Sequence, residues 1–184
     1  MREVAEHRES SIIAAYPAKY VTTRTLKNGE QVLLRPIKAE DEDCFNELIK
    51  SLSPESMRFR FFSLIKEMPH ETLARYCNLD YDRQIAIVAE LQGRHQIIGA
   101  GRVIVQPNRK SGEFAVLVTD KWQRLGLGSL LMDYIIDFSR DTRLESIFAH
   151  VLPNNYKMLK LCEKKGFKID ILDEETVKAS LVLS

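Results

Sequence analysis

Cysteine is sparse in this 184-residue chain. Cys44, Cys77 and Cys162 lie far apart and form no CxxC pair, which excludes a disulfide scaffold and a thiolate zinc site. Free thiols in a reducing compartment are the plain reading. His7, His70, His95 and His150 are equally dispersed, so no metal site is expected. No run of about 18 apolar residues occurs, so no membrane-spanning helix is expected. An excess of one charge is missing too. The 27 basic residues face 26 acidic ones, and a net charge of +1 gives no global field that would argue for nucleic acid or an anionic membrane as partner. The first residues, MREVAEHRESSIIAAYP, lack the long apolar centre of a signal peptide, which makes the cytoplasm the expected compartment. Two nucleotide fingerprints also fail: the third glycine of G-x-G-x-x-G is replaced by Leu131, and no Gly-Lys-Ser/Thr marks a P-loop.

What is present is a mixed α/β pattern with one central sheet. Val21 to Leu26 and Gln31 to Ile37 read as strands around Asn28-Gly29, where both turn positions tolerate positive φ. Cys44, Phe45, Leu48, Ile49 and Leu52 recur at helical spacing behind an acidic first turn. Ser53-Pro54 restarts a helix as cap and first position, and Pro69 opens another that runs through about Cys77. Ile85 to Leu91 and Ile97 to Val105 suit a hairpin, and Glu113 to Val118 follows as a strand. Gly126 to Arg140 predicts a helix with Leu127, Leu130, Leu131, Tyr134, Ile135 and Phe138 as its buried stripe. Ser146 to Leu152 is a strand and Asn155 to Lys165 a helix stopped by Gly166. Phe167 to Leu172 and Thr176 to Leu183 are closing strands.

The most informative stretch is EFAVLVTDKWQRLGLGSLL, residues 113–131. A strand, a glycine-containing turn and a helix start bring several unpaired backbone N–H groups to one point, where the helix dipole adds positive potential. Gly126 and Gly128 lack a Cβ, so a phosphate can approach the main chain. On spacing alone two readings stand level: a diphosphate-binding turn, and a helix start with glycines for packing.

Gln123-Arg124-Leu125-Gly126-Leu127-Gly128 resembles the Q/R-x-x-G-x-G/A signature of GNAT acetyltransferases. NYKMLKLCEKKGF, Asn155 to Phe167, resembles that family's second signature, a helix closed by Gly-Phe. YPAKY, LKNGEQVLLRPI, LSPES and GEFAVLV are similar to the acetyltransferase domain of bacterial protein lysine acetyltransferases. The resemblance implies an α+β GNAT-like fold. Its mixed sheet has about seven strands with a splayed pair, and about four helices flank it. It divides the chain into an N-terminal extension, residues 1–19, and an acetyltransferase domain, residues 20–184. Acetyl-CoA is the implied cosubstrate, without a metal, and a protein with an acceptor lysine is the implied partner, such as an acyl-CoA synthetase. The resembling proteins often carry a fused synthetase-like or cyclic-nucleotide-binding region. This chain holds neither, and is read as a separate short protein or an excised domain; a homodimer, or fusion to a regulatory domain elsewhere, is the further expectation about partners.

By the same resemblance, Leu117 and Val118 contact the pantetheine arm in the splay, and Gln123, Arg124, Leu125, Gly126, Leu127, Gly128 and Ser129 hold the pyrophosphate. Asn155 touches the cofactor, although a plain helix cap explains it equally. Glu113 matches the general base that deprotonates the amine, against a plain reading as a strand-edge surface residue. Val118 N–H, with Leu117 next, is the candidate donor to the thioester oxyanion. The tyrosine that many GNAT enzymes place four residues before Gly-Phe is Cys162 here, and Tyr156 lies too early to replace it. Solvent then protonates the leaving thiolate, and Cys162 is a packing residue. Trp122 is expected to pack as an anchor. Arg58 and Arg60 are read as outward arginines of an amphipathic helix, or as one wall of the acceptor site. Three functions remain open at this level: a protein lysine acetyltransferase, an acetyltransferase for a small amine or protein N-terminus, and a non-catalytic acyl-CoA sensor.

Overall fold

The computed structural model describes residues 16–183. Its centre is one eight-stranded sheet in the order β1-β2-β3-β4-β5-β6-β8-β7. The strands are β1 (Thr22–Thr25), β2 (Gln31–Pro36), β3 (Gln84–Leu91), β4 (Gln96–Val105), β5 (Ser111–Val118), β6 (Ser146–Val151), β7 (Lys168–Ile171) and β8 (Val177–Val182). Neighbours pair antiparallel except β5 and β6, which run parallel. A parallel pair needs a crossover. Helix α4 (Leu127–Asp141) supplies it, and packs on β4 and β5. The mixed α/β fold is the one expected, with eight strands and five helices among the described residues. Of the expected extension, residues 1–15 lie outside the described residues. Tyr16 donates through its hydroxyl to Pro36 O at 3.0 Å, and Tyr20 to Asp141 Oδ2 at 2.6 Å.

Successive side chains of β3 and β4 point to opposite faces and are buried on both, which builds two cores, one on each face of the sheet. On one face, Phe114, Val116, Ile98 and Val103 pack against α4. The apolar stripe of α4 is wider than its spacing predicts, because Met132, Ile136 and Ser139 are buried along with Leu127, Leu131, Ile135 and Phe138. The other face carries Ala86, Val88, Ala100 and Leu117. It is covered by α1 (Glu42–Lys50) and α3 (His70–Cys77), while α2 (Pro54–Phe61) lies against β5.

Turn chemistry follows the sequence with one change. At Asn28-Gly29 only the glycine takes a positive φ, +87°, while the Asn28 side chain accepts from Glu30 N–H at 3.2 Å. Asn28 acts by capping the turn with its amide, as an Asx residue does, and needs no left-handed backbone.

An ion-pair network holds β2, β3 and the start of α1 together. Arg35 donates two bonds to Asp41, each 2.7 Å, and one to Glu90 at 2.9 Å. The three side chains are only 10–12% exposed. Removing one member of such a group strands the remaining charges, whereas replacing all by apolar groups is nearly neutral. Arg35→Met is expected to destabilise the domain by about 3–5 kcal/mol, read as a lower denaturant midpoint. The triple change Arg35→Met, Asp41→Leu, Glu90→Leu is expected to recover much of that loss.

Candidate active site

β5 and β6 separate part-way along their length. Their ladder pairs Ser111 with Ser146, Gly112 with Ile147 and Glu113 with Phe148, and there it stops. Beyond that point the strands diverge and leave a V-shaped gap. Thr119 N–H donates to Ile98 O at 3.0 Å on the β4 side. Main-chain groups of an antiparallel strand alternate in direction, so Val116 and Val118 turn their N–H and C=O into the gap. Leu117 turns its own toward β4 and lines the cleft with the rest of the strand. Val116 is thus a cleft-facing main-chain position that lies outside both signatures.

The gap opens into a cleft of about 730 Å³, lined by α2, β5, β6, the loop after β5 and α5 (Tyr156–Lys164). At one end lies the glycine turn. Arg124 and Gly126 both adopt left-handed backbone, φ 62° and 92°, and Gly126 begins α4 with no side-chain cap. The N–H groups of the first turn of α4 are therefore left for an external acceptor. Successive main-chain N–H groups in such a turn form a concave anion site. Gln123, Arg124, Leu125, Gly126, Gly128, Ser129 and Asn155 all line the cleft. Leu127, the remaining member of the expected loop, is fully buried beneath it and anchors the helix start.

Several cations surround this end. Lys157, Lys160 and Lys164 of α5 line the cleft with Arg124 and Lys27. Lys27 N–H also donates to Leu125 O at 3.2 Å, which ties the β1–β2 turn to the glycine turn. None of these lysines was picked out by motif. The spacing i, i+3, i+7 does put the three α5 lysines on one helical face, and that signal was available.

Gln123 braces the loop rather than pointing freely into it. Its Nε2 donates to Val118 O at 3.1 Å and to Ser56 Oγ at 3.2 Å, and its Oε1 accepts from Lys157 Nζ at 2.8 Å. Asn155 caps α5, accepting from Met158 N–H at 3.2 Å. It is therefore a cap that also lines the cleft. Asp120 docks α2 onto the same loop, accepting from Ser53 N–H at 3.0 Å, Ser53 Oγ at 2.7 Å and Ser56 Oγ at 2.8 Å. Burial pushes its carboxyl up, but the hydrogen bonds from Ser53 and Ser56 outweigh this and hold it below the usual carboxylate range. That docking is complete above the ordinary carboxylate pKa of about 3.9. It is lost as pH falls through the lowered value, and is intact at neutral pH.

At the fork of the V stands Glu113. Its Oε1 lies 3.2 Å from His150 Nδ1, and the two side chains are 45% and 39% exposed. Both line the cleft. Phe148, the partner of Glu113, and His150, two residues on, share one face of β6. That register brings imidazole and carboxylate together. No local pattern signals it, because strand pairing is not written in residue spacing.

Trp122 and Cys162 are buried as expected for packing residues, and burial pushes the Cys162 thiol up to about 12. Tyr156 is exposed. Arg58 is exposed, but Arg60 is half-buried and faces the cleft. The expectation that both arginines point outward fails for a geometric reason. Residues two apart on an α-helix are turned about 200° from each other.

Residues 48–167 match the acetyltransferase (GNAT) family. An acetyltransferase of Pseudomonas aeruginosa is 31% identical over 169 residues, covering 91% of this chain and 90% of that protein. The chain belongs to the GNAT acetyltransferase family. The acetyltransferase Pat of Mycolicibacterium smegmatis is 27% identical over 89% of this chain, which spans 47% of that longer protein. Among solved structures, the GNAT domain of S. lividans PAT superposes with a TM-score of 0.85 at 24% identity, covering 92% of this chain and 100% of that one. GNAT acetyltransferases draw their acetyl group from acetyl-CoA. The cleft of this GNAT domain has a turn with uncapped main-chain N–H groups at one end, strand backbone without a ladder partner along its length, and a carboxylate at the fork. Among the described residues no group of three His, Cys, Asp or Glu side chains is placed to hold a metal, and no helix is long and apolar enough to cross a membrane.

Proposed function

We propose that this GNAT domain transfers acetyl from acetyl-CoA to a protein lysine side chain by direct attack, with Glu113 as general base. The observation that carries this reading is the carboxylate at the fork of β5 and β6, hydrogen-bonded to His150, at the far end of the cleft from the anion loop.

A lysine ammonium has no lone pair, and its pKa of about 10.4 leaves it protonated near neutrality. Glu113 accepts that proton, and His150 offers it an onward route to solvent. The freed amine attacks the thioester carbonyl, forming the C–N bond. The carbonyl oxygen gains negative charge as it does so, with the Val118 N–H as the donor that stabilises it. The C–S bond then breaks; the attacking nitrogen loses its second proton to solvent as the amide forms, and the departing CoA thiolate takes one from solvent, since the tyrosine of many GNAT enzymes is replaced here by buried Cys162. The diphosphate is held by the main chain of residues 123–129. Lys27, Lys157, Lys160 and Lys164 add positive potential around the nucleotide end.

A protein acceptor is favoured by the surface next to the cleft. Phe62 lines the rim, and Phe62 and Leu64 are both exposed large apolar side chains, which suit contact with another protein. The test is a scan with labelled acetyl-CoA over purified proteins, acyl-CoA synthetases included, with sites mapped by mass spectrometry. Hydroxylamine-stable label on lysine side chains is expected. Label confined to small amines or protein N-termini would overturn the lysine reading.

A further inference from the structure

A positive charge stands where a cationic substrate must arrive. Helix α2 runs along β5, with its first turn held at Asp120 and its last turn beside Ala115. This places Arg60 in the cleft wall on the same side of the sheet as Glu113 and Ala115. Behind it, Arg102 of β4 lies opposite Ala115 in the ladder. Arg60 and Arg102 together line a small hollow with Phe45, Phe61, Tyr76 and Leu117. That lining contains no carboxylate.

Arg35 has Asp41 at 2.7 Å and Glu90 at 2.9 Å. Arg60 and Arg102 have no ion-pair partner within 4.0 Å among the described residues. Arg102 is fixed by main chain and ring instead: Nη2 donates to Tyr76 O, Nη1 reaches Gln84 Oε1 at 3.5 Å, and the guanidinium lies 4.5 Å from the Tyr76 ring centre. Arg60 rests 4.8 Å from the Phe61 ring centre. Burial lowers the pKa of both, that of Arg102 to about 10. Their charges are only partly solvated, and an anion brought close would be held strongly. The Tyr76 side chain and, from beyond ion-pair distance, the Glu113 charge act on Arg60, but the Glu113 carboxylate itself is turned to His150. An acceptor amine approaching alone would meet guanidinium repulsion.

The geometry points to an acceptor that carries a carboxylate close to its amine, bound by Arg60, with Arg102 holding the hollow positive behind it. This inference rests on the acetyl-transfer reading above and narrows its substrate class. A guanidinium presents a planar fork that matches a carboxylate with two parallel bonds. Two sources share this chemistry: an acidic residue flanking an acceptor lysine, and the α-carboxylate of a free amino acid.

The test compares kcat/KM for lysine peptides that differ only in a flanking Glu or Gln, and for free lysine against cadaverine, the same amine without its carboxylate. The wild-type protein is expected to prefer the carboxylate-bearing member of one pair by about 10-fold or more. A preference in the peptide pair identifies a flanking acidic side chain, and one in the second pair a free amino acid. In Arg60→Gln the preference ratio is expected to fall close to one, and Arg60→Lys to retain part of it. Calorimetric binding of acetyl-CoA to each variant checks that the domain is folded. Equal rates within both pairs, or a ratio unchanged in Arg60→Gln, would overturn the subsite. Failure to acetylate any of these amines would instead count against the acetyl-transfer reading. The subsite would then be judged by peptide affinity in the presence of CoA, where equal binding of the Glu and Gln peptides would overturn it as well.

Discussion

Glu113→Gln is expected to lower kcat about 100- to 10,000-fold, the usual contribution of a positioned general base, with acetyl-CoA affinity unchanged. Glutamine keeps the volume and still reaches His150, but it takes up no proton. The side chain is half-exposed at the strand fork, away from both cores, so a folding defect does not explain a loss of this size. The pH dependence separates base catalysis from a structural effect. As pH rises toward the amine pKa of about 10.4, the acceptor arrives already neutral. The gap between variant and wild type should then narrow. A constant gap would assign Glu113 to orientation alone, and unchanged turnover would remove it as the base.

Much of this was written in local sequence, and the exceptions have definite causes. The turn before α4 was legible because a strand, a glycine turn and an amphipathic helix follow one another within residues 113–131, and that order alone concentrates N–H groups. The caps at Ser53 and Asn155 were legible for the same local reason. The Glu113–His150 contact was not. It depends on which residues of β5 and β6 meet, and the pairing ends at Glu113–Phe148 for no reason visible in either segment. The alternation of arginine with apolar residues at 57–62 left an outward face and a site wall both open for Arg58 and Arg60, and helical geometry divides the pair, Arg58 outward and Arg60 to the cleft. Arg102 was overlooked inside a strand that otherwise reads as apolar. Only the crossing of α2 and α3 over β4 and β5 shows that its charge lies beside the cleft.

The loop after β5 has the second large effect. S-acetylpantetheine keeps the thioester and the arm but lacks the diphosphate. Two charge-assisted hydrogen bonds to the main chain, at about 1.5 kcal/mol each as a lower figure, correspond to about 100-fold in Kd. Raising the salt separates this from the surrounding lysines. At about 1 M the screening length falls to about 3 Å, which mutes exposed side-chain charges while leaving short main-chain contacts in place. The decisive measurement is calorimetric titration of acetyl-CoA and of S-acetylpantetheine at that salt. Acetyl-CoA should bind about 100-fold or more tightly than the truncated thioester. Equal affinity of the two would contradict capture of the diphosphate by the main chain of residues 123–129.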